Sequence, residues 1–217
     1  MNAISLIDQM GNDQSIIRAA RVSLAGDQIP RPIDQDRKLM RYLIQNHHMS
    51  PFEHTALTFR IKCPVYVDRH IVRHRIGVAK NEESARYVEV QEEFYVPTKF
   101  RQQAKSNRQA SVESEFSDYT NALMADMYAH QCTEAIRTYH ELLKLGVARE
   151  QARGVLPQSM YTSSYYTFNV RSLMHFIDLR DHPGAQWETQ DVARKLLAIA
   201  ETLFPMAFGV YKETRPS

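Results

Sequence analysis

Residues 69–87 constrain this chain more than any other stretch. They read Arg69-His70-Ile71-Val72-Arg73-His74-Arg75-Ile76-Gly77-Val78-Ala79-Lys80-Asn81-Glu82-Glu83-Ser84-Ala85-Arg86-Tyr87. Five of the first seven are Arg or His. A helix here would bring Arg69, Arg73 and, less squarely, Arg75 near one face. Like charges held that close repel, so a folded chain keeps them together only where something negative offsets them. Three sources of negative charge are open. Glu82 or Glu83 could pair with them on a solvated face, a nucleic acid could lie across the helix, or a small anion could bind. Arg grips phosphate in a planar, two-pronged way, and the Asn, Glu, Ser, Arg and Tyr that follow offer donors and acceptors suited to a polar ring. A nucleotide is therefore the first expectation.

The totals narrow the choice. A net charge of +2 over 217 residues provides no strong basic field for DNA or RNA. That length, with 43% hydrophobic residues, suits one substantial core. The two cysteines, Cys63 and Cys132, fit a reducing cytosol better than a disulfide framework. No apolar run is long enough to span a membrane, and Met1-Asn2-Ala3-Ile4 does not open an export signal, so a cytoplasmic location is expected. Glycine is scarce, and neither a GxGxxG nor a P-loop pattern occurs. Side chains, rather than a glycine-rich loop, must hold any nucleotide.

Periodicity divides the chain into a helix-rich single domain, residues 1–217, with a small antiparallel sheet. A strand is predicted over 3–7 and a helix over 16–23 capped by Ser15 or Asp13. A loop follows over 26–32. Asp34 caps a helix over 35–46 with Leu39, Met40, Leu43 and Ile44 on its buried stripe. Residues 55–63 alternate, with Leu57, Phe59, Ile61 and Cys63 on one side, which is the pattern of a half-buried strand. Pro64 then starts a helix that is expected to carry the Arg-His-Arg segment. A strand is predicted over 93–96, a surface loop over 99–111, and a long helix over 112–145 closed by Gly146. A short helix over 147–155, an extended segment over 160–168 and helices over 169–179 and 187–204 follow. The tail after Pro205 is expected to fray.

These blocks, taken in order, resemble one family. Arg73-His74-Arg75 followed by Asn81-Glu82-Glu83-Ser84-Ala85-Arg86-Tyr87 is similar to the defining motif of the flavin-dependent thymidylate synthases. Arg18 to Ser23, Ser50-Pro51-Phe52-Glu53-His54, Glu93 to Pro97, Ala152 to Pro157, and Asn169 to Leu173 running on to Arg180 agree as well. Three departures stand out. One residue more than is usual lies between Arg75 and Ser84, a bulge that Gly77 is placed to absorb, and the serine usual shortly after Arg-His-Arg is missing. His70 replaces a common glutamine, and His175 stands where some members have asparagine.

The resemblance implies an α+β fold, a central antiparallel sheet flanked by helices, assembled as a homotetramer with active sites at subunit interfaces. It implies tightly held FAD and reductive methylation of dUMP to dTMP, with 5,10-methylenetetrahydrofolate as carbon donor and NADPH as reductant. His48, Ser50, Arg73, His74, Arg75, Glu82, Asn169, Arg171 and His175 are the implied FAD residues. His70, Arg73, Glu82, Glu83, Ser84, Ala85, Arg86, Arg153 and Arg180 are the implied dUMP residues. Arg180 is the implied catalytic group, because a guanidinium that stays protonated can stabilise charge developing on the uracil without a proton transfer. The additional residue and His70 leave a rival product open, a related methylated nucleotide or a hydroxymethylated one.

Other reactive residues have plainer readings. Cys63, before Pro64 and with no base near it in sequence, reads as core packing. His47, His48 and His54 lack the partners that would complete a metal set, so no metal is expected. Ser84 has no Ser-His-Asp order around it and reads as a ligand hydrogen bond. Tyr161, Tyr165 and Tyr166 read as strand residues. Arg153 could pair with Glu150, and Arg18 and Arg21 are left open.

Overall fold

The alternation at residues 56–64 becomes a central strand. In the computed structural model, which describes residues 2–24, 30–87, 92–105 and 110–215, strand β2 (Ala56–Pro64) pairs antiparallel on one side with β1 (Ala3–Met10) and on the other with β6 (Tyr161–Phe168). A further strand, β3 (Val78–Glu82), pairs with β6 and gives the order β1-β2-β6-β3. The β1–β2 register shifts between Leu6 and Asp8, while β2–β6 and β3–β6 run without interruption.

One face of this sheet is apolar because the alternation makes it so. Leu57, Phe59, Ile61 and Cys63 of β2 are fully buried, as are Tyr166 and Phe168 of β6. Four helices contribute most of the cover: α2 (Ile33–Gln45), α6 (Val170–Arg180), α7 (Trp187–Leu203) and α8 (Pro205–Thr214). Each fully buried Phe, Leu or Ile here contributes about 1.5–3 kcal/mol. The opposite face is polar. Thr58 and Thr167 share a hydrogen bond at 2.9 Å, and Arg60 donates to Ser163 at 2.9 Å.

Several boundaries differ from the sequence expectation. Helix α1 (Asp13–Arg21) is capped by Asn12, whose side chain accepts from the Ser15 amide in a capping box. Asp13 instead accepts from the Met206 and Ala207 amides at 2.8 and 2.9 Å. It thereby caps α8, the segment expected to fray. Pro205 starts that helix rather than ending the previous structure, as its missing N–H allows. Asp34 lies within α2, which Pro32 precedes without a side-chain cap.

The long helix α4 (Asp118–Lys144) starts later than predicted, at a Ser117 cap, and ends at Gly146 in the left-handed region. Residues 99–111 hold half of a small hairpin, β4 (Gln102–Gln103) with β5 (Ser111–Val112); positions 106–109 lie outside the described residues. The expected 93–96 strand is reduced to one bridge, Phe94 to Met160. The short helix before Pro157 is α5 (Arg149–Ala152), continued by a 3-10 turn. Positions 26–29 of the expected 26–32 loop, and residues 216 and 217, also fall outside the described set.

The most consequential correction concerns the basic segment. Helix α3 (Val65–Ile71) ends before Arg73, so no helical face gathers the three arginines. Arg69 and His70 occupy its last turn, where the helix dipole favours cations. Arg73, His74 and Arg75 form a turn closed by bonds from His74 N to the Ile71 carbonyl and Val78 N to the Arg75 carbonyl. Gly77, at φ +66°, reverses the chain into β3. The β3 ladder itself carries no bulge, so the reversal is completed before Val78.

Candidate active site

Two elements meet at the basic turn. Arg180 is the last residue of α6, and its Nε–H donates to His74 Nε2 at 3.0 Å. That bond needs a lone pair on Nε2, so the imidazole is neutral with its proton on Nδ1. Burial, the Arg180 guanidinium and His175 together pull His74 down to about 4. Its ring packs edge-on against Phe176 at 4.8 Å and lies 6.0 Å from the His175 ring. His70 is also pushed down, first by burial and then by Arg180 and Arg73. Arg180 itself is lowered, by burial and by Arg73. For His70, His74 and Arg180 alike, burial first and the neighbouring cations second disfavour the charged form, as in a site shaped for an anion.

The ion-pair pattern supports this. Arg21, Arg37, Arg41, Arg101, Arg194 and Arg215 each meet a carboxylate. Among the described residues, Arg69, Arg73, Arg75, Arg153 and Arg180 make no ion pair. The reading of a solvated face neutralised by Glu82 or Glu83 therefore fails: Glu82 bonds to Lys80 and Thr162 instead. The alternative of an Arg153–Glu150 pair is not met, since Glu150 pairs with Arg86 at 3.5 Å. Arg21, left open by sequence, pairs with Asp36 at 2.6 Å.

A cavity of about 590 Å³ opens beside the end of β3. Glu82, Glu83, Ser84, Ala85 and Arg153 line it, as do Arg69, Lys62 and Thr162. Thus five of the residues expected to meet dUMP are brought together. Arg86 stands behind them, with its guanidinium 5.8 Å from the Tyr87 ring. His70, Arg73 and Arg180 do not line this cavity and form the cluster around His74 instead. Sequence reasoning had not assigned Lys62 or Thr162, because a strand residue facing a cavity looks like any other polar strand position. Arg69 had been singled out for its charge alone.

A second cavity, of about 660 Å³, is lined by α6, the helix that follows the other end of β6. Its walls include His47, Met49, Ile76, Met174, Arg171 and His175. Arg171 and His175 stand one turn apart on α6, and Asn169 caps that helix by accepting from the Ser172 amide at 2.8 Å. The Asn169 amide group is left as a donor, packed under the Gly77 turn. Arg171 pairs with Glu53, beside Ser50 in a 3-10 turn. His48 follows α2 and sits edge-on to Tyr42.

Cys63 is fully buried, and burial, with Asp68 nearby, pushes its thiol well above the usual range, which is the behaviour of a packing residue. Tyr161, Tyr165 and Tyr166 all lie in β6. Among the described residues no three His, Cys, Asp or Glu side chains are grouped to hold a metal, and no helix is long and apolar enough to cross a membrane.

Known proteins bear on this arrangement. Residues 5–206 match the model of the Thy1 family, thymidylate synthase complementing protein. The flavin-dependent thymidylate synthase of Thermosipho melanesiensis is 42% identical over 205 residues, covering 94% of this chain and 88% of that protein. The one from Kosmotoga olearia is 41% identical over 208 residues, 96% of this chain and 89% of its own. Among solved structures, the UMP/dUMP methylase PolB from Streptomyces cacaoi, bound with 5-Br dUMP, superposes with a TM-score of 0.91 at 34% identity, covering 99% of this chain and 96% of that one. Its complex with 5-Br UMP gives 0.89 at 35% identity, covering 99% and 95%. With a family match along nearly the whole chain and relatives above 40% identity, this protein belongs to the flavin-dependent thymidylate synthase family.

Proposed function

We propose that the chain catalyses the FAD-dependent reductive methylation of dUMP to dTMP, with 5,10-methylenetetrahydrofolate as carbon donor and NADPH as reductant. The observation that carries this reading is the placement of guanidinium groups without carboxylate partners: Arg69 and Arg153 on the wall of a cavity of nucleotide size, and Arg73, Arg75 and Arg180 at the basic turn. On a cavity wall, such groups are placed to grip a phosphate in a planar, two-pronged way.

The residues present fit the flavin. Met49, Ile76 and Met174 offer apolar walls for a ring system, His175 and Arg171 offer donors, and Arg75 immediately precedes the lining Ile76. His48, Ser50, Arg73, His74, Glu82 and Asn169 complete the proposed FAD set. When bound, the flavin supplies the hydride chemistry. The rest falls to the chain's own groups. Arg153, Ser84, Ala85, Glu83 and Arg86 hold the nucleotide, with Glu82 beside them, and His70 and Arg73 are proposed to meet it from the cluster around His74. Arg180 is proposed to stabilise negative charge developing on the uracil. His74, neutral and accepting from Arg180, fixes the guanidinium in orientation without competing for its charge.

The first cavity is lined by the Tyr161 end of β6 and the second by α6, which follows its other end, and Arg60 and Tyr165 lie exposed on the polar sheet face. Both features support a homotetramer in which active sites form between subunits. The buried, unpaired cysteines fit a cytosolic setting.

A second reading keeps the chemistry and widens the substrate to UMP. It is favoured by the likeness to a methylase described as acting on both nucleotides, together with His70 and the additional residue before Asn81. Incubating the flavin-loaded protein with dUMP or UMP, methylenetetrahydrofolate and NADPH, then weighing the nucleotide by mass spectrometry, decides. A gain of one CH2 on dUMP alone supports the first reading, and a gain on both supports the second. Added CH2O would establish a hydroxymethylase, and a colourless protein that binds RNA or DNA would refute both readings.

A further inference from the structure

Lys80 is a lysine turned inward on an edge strand. In β3, Val78 and Lys80 are half-buried while Ala79 between them is exposed, so Lys80 shares the core-facing side. Its Nζ donates to Asp68 Oδ2 at 2.5 Å and to Glu82 Oε2 at 2.6 Å, and lies 5.6 Å from the Tyr166 ring. Asp68 is only 4% exposed, and its other oxygen accepts from the Tyr166 hydroxyl at 2.8 Å and from Ser164 at 3.4 Å. The second oxygen of Glu82 accepts from Thr162 at 2.7 Å. Glu82 is thus clamped at both oxygens, and one clamp is rooted in a buried carboxylate that is itself fully satisfied.

An ordinary surface ion pair would not look like this. Exposed pairs are held loosely and contribute about 0–1 kcal/mol, whereas here the ammonium is shared between a buried anchor and a group on the wall of the nucleotide cavity. Asp68 and Glu82 carry two negative charges beside a pocket expected to take a phosphate, and Lys80 offsets one of them.

We infer that Lys80 is a positioning residue for the nucleotide: anchored on Asp68, it fixes the Glu82 carboxylate in its binding orientation and lowers the negative charge that the phosphate meets. This rests on reading the β3-end cavity as the dUMP site. The test measures dUMP affinity of the flavin-loaded protein by titration calorimetry, together with KM, kcat and flavin content, for wild type, Lys80→Met, Glu82→Gln and the double variant. Lys80→Met is expected to weaken dUMP binding about tenfold or more, raising KM with flavin content unchanged. In the Glu82→Gln background the same change is expected to add less than about twofold, because the residue it acts through is already neutral.

Wild-type affinity in Lys80→Met, or an equal loss in both backgrounds, overturns the inference while leaving the pocket assignment intact. Wild-type protein that binds no dUMP overturns both. Lys80→Gln, which keeps polar reach at a half-buried position, replaces Met if the latter does not fold, with the same expected and refuting results.

Discussion

Replacing Gly77 by alanine separates conformational cost from collision, because a second glycine serves as the control. Gly77 and Gly146 both have positive φ, +66° and +85°. A Cβ at Gly146 would meet nothing within 4 Å, whereas one at Gly77 would lie 2.3 Å from Ser172 Oγ and 2.5 Å from Asn169 Nδ2. Gly146→Ala therefore costs only the left-handed backbone term, about 1–2 kcal/mol. Gly77→Ala carries that cost and also displaces two engaged side chains. Ser172 donates to the Ile76 carbonyl at 2.7 Å, and Asn169 caps α6. Losing the hydrogen bond costs about 1 kcal/mol, and losing the cap costs about 1 more. Gly77→Ala should thus be the worse variant by about 2 kcal/mol, a further drop of roughly 4–8 °C in Tm for a chain of this size. Thermal unfolding of both variants checks this, with flavin content as a second readout, since the collision lies under the turn that carries Arg73 to Arg75. Equal melting temperatures would refute the packing of this turn onto α6.

Three further expectations follow from the same contacts. Arg180→Ala should abolish turnover while FAD stays bound; loss of FAD with normal dUMP affinity in a binding assay would show the role to be misassigned. His74 should titrate by NMR near 4 rather than 6.5. Between those values the unfolded imidazole takes a proton that the folded one refuses, so folding weakens as pH falls through that window and His74→Gln should weaken less; a midpoint near 6.5 would refute the contact with Arg180. Asp13→Ala removes the acceptor for two α8 amides and should cost about 1–2 kcal/mol in denaturant unfolding, with Asp13→Asn recovering part; no change would mean α8 is held without its cap.

Much of the fold was readable because burial imposes a period. Leu57, Phe59, Ile61 and Cys63 announce β2, and Met40 and Leu43 announce the inner face of α2. What could not be read was set by distant partners. β3 is a strand because β6 lies beside it, and its inward position is occupied by Lys80, so the apolar alternation that would betray a strand is absent. The Arg-rich segment has helical spacing, yet α3 stops at Ile71, because the chain must reverse at Gly77 to reach β6. Pro205 marked an end in the sequence and a beginning in the fold, since the amides it exposes are met by Asp13, far away in the chain. The motif residues were legible as chemistry, but their division between two cavities was not, because spacing along a chain says nothing about which wall a side chain joins.

Strand β6 is also a yardstick. Thr162, on the wall of one cavity, and Phe168, where the chain turns toward the other, are six residues apart, which for an extended chain is roughly 20 Å. Reacting atoms must approach to about 3–3.5 Å, so on the proposed assignment the two cavities of one polypeptide are set too far apart to form the reacting pair by themselves. On the proposed assignment the working centre would be composite, the pyrimidine cavity of one polypeptide facing the flavin cavity of another. Two dead proteins, one altered at Arg153 and one at His175, should then restore measurable turnover when dissociated and reassembled together.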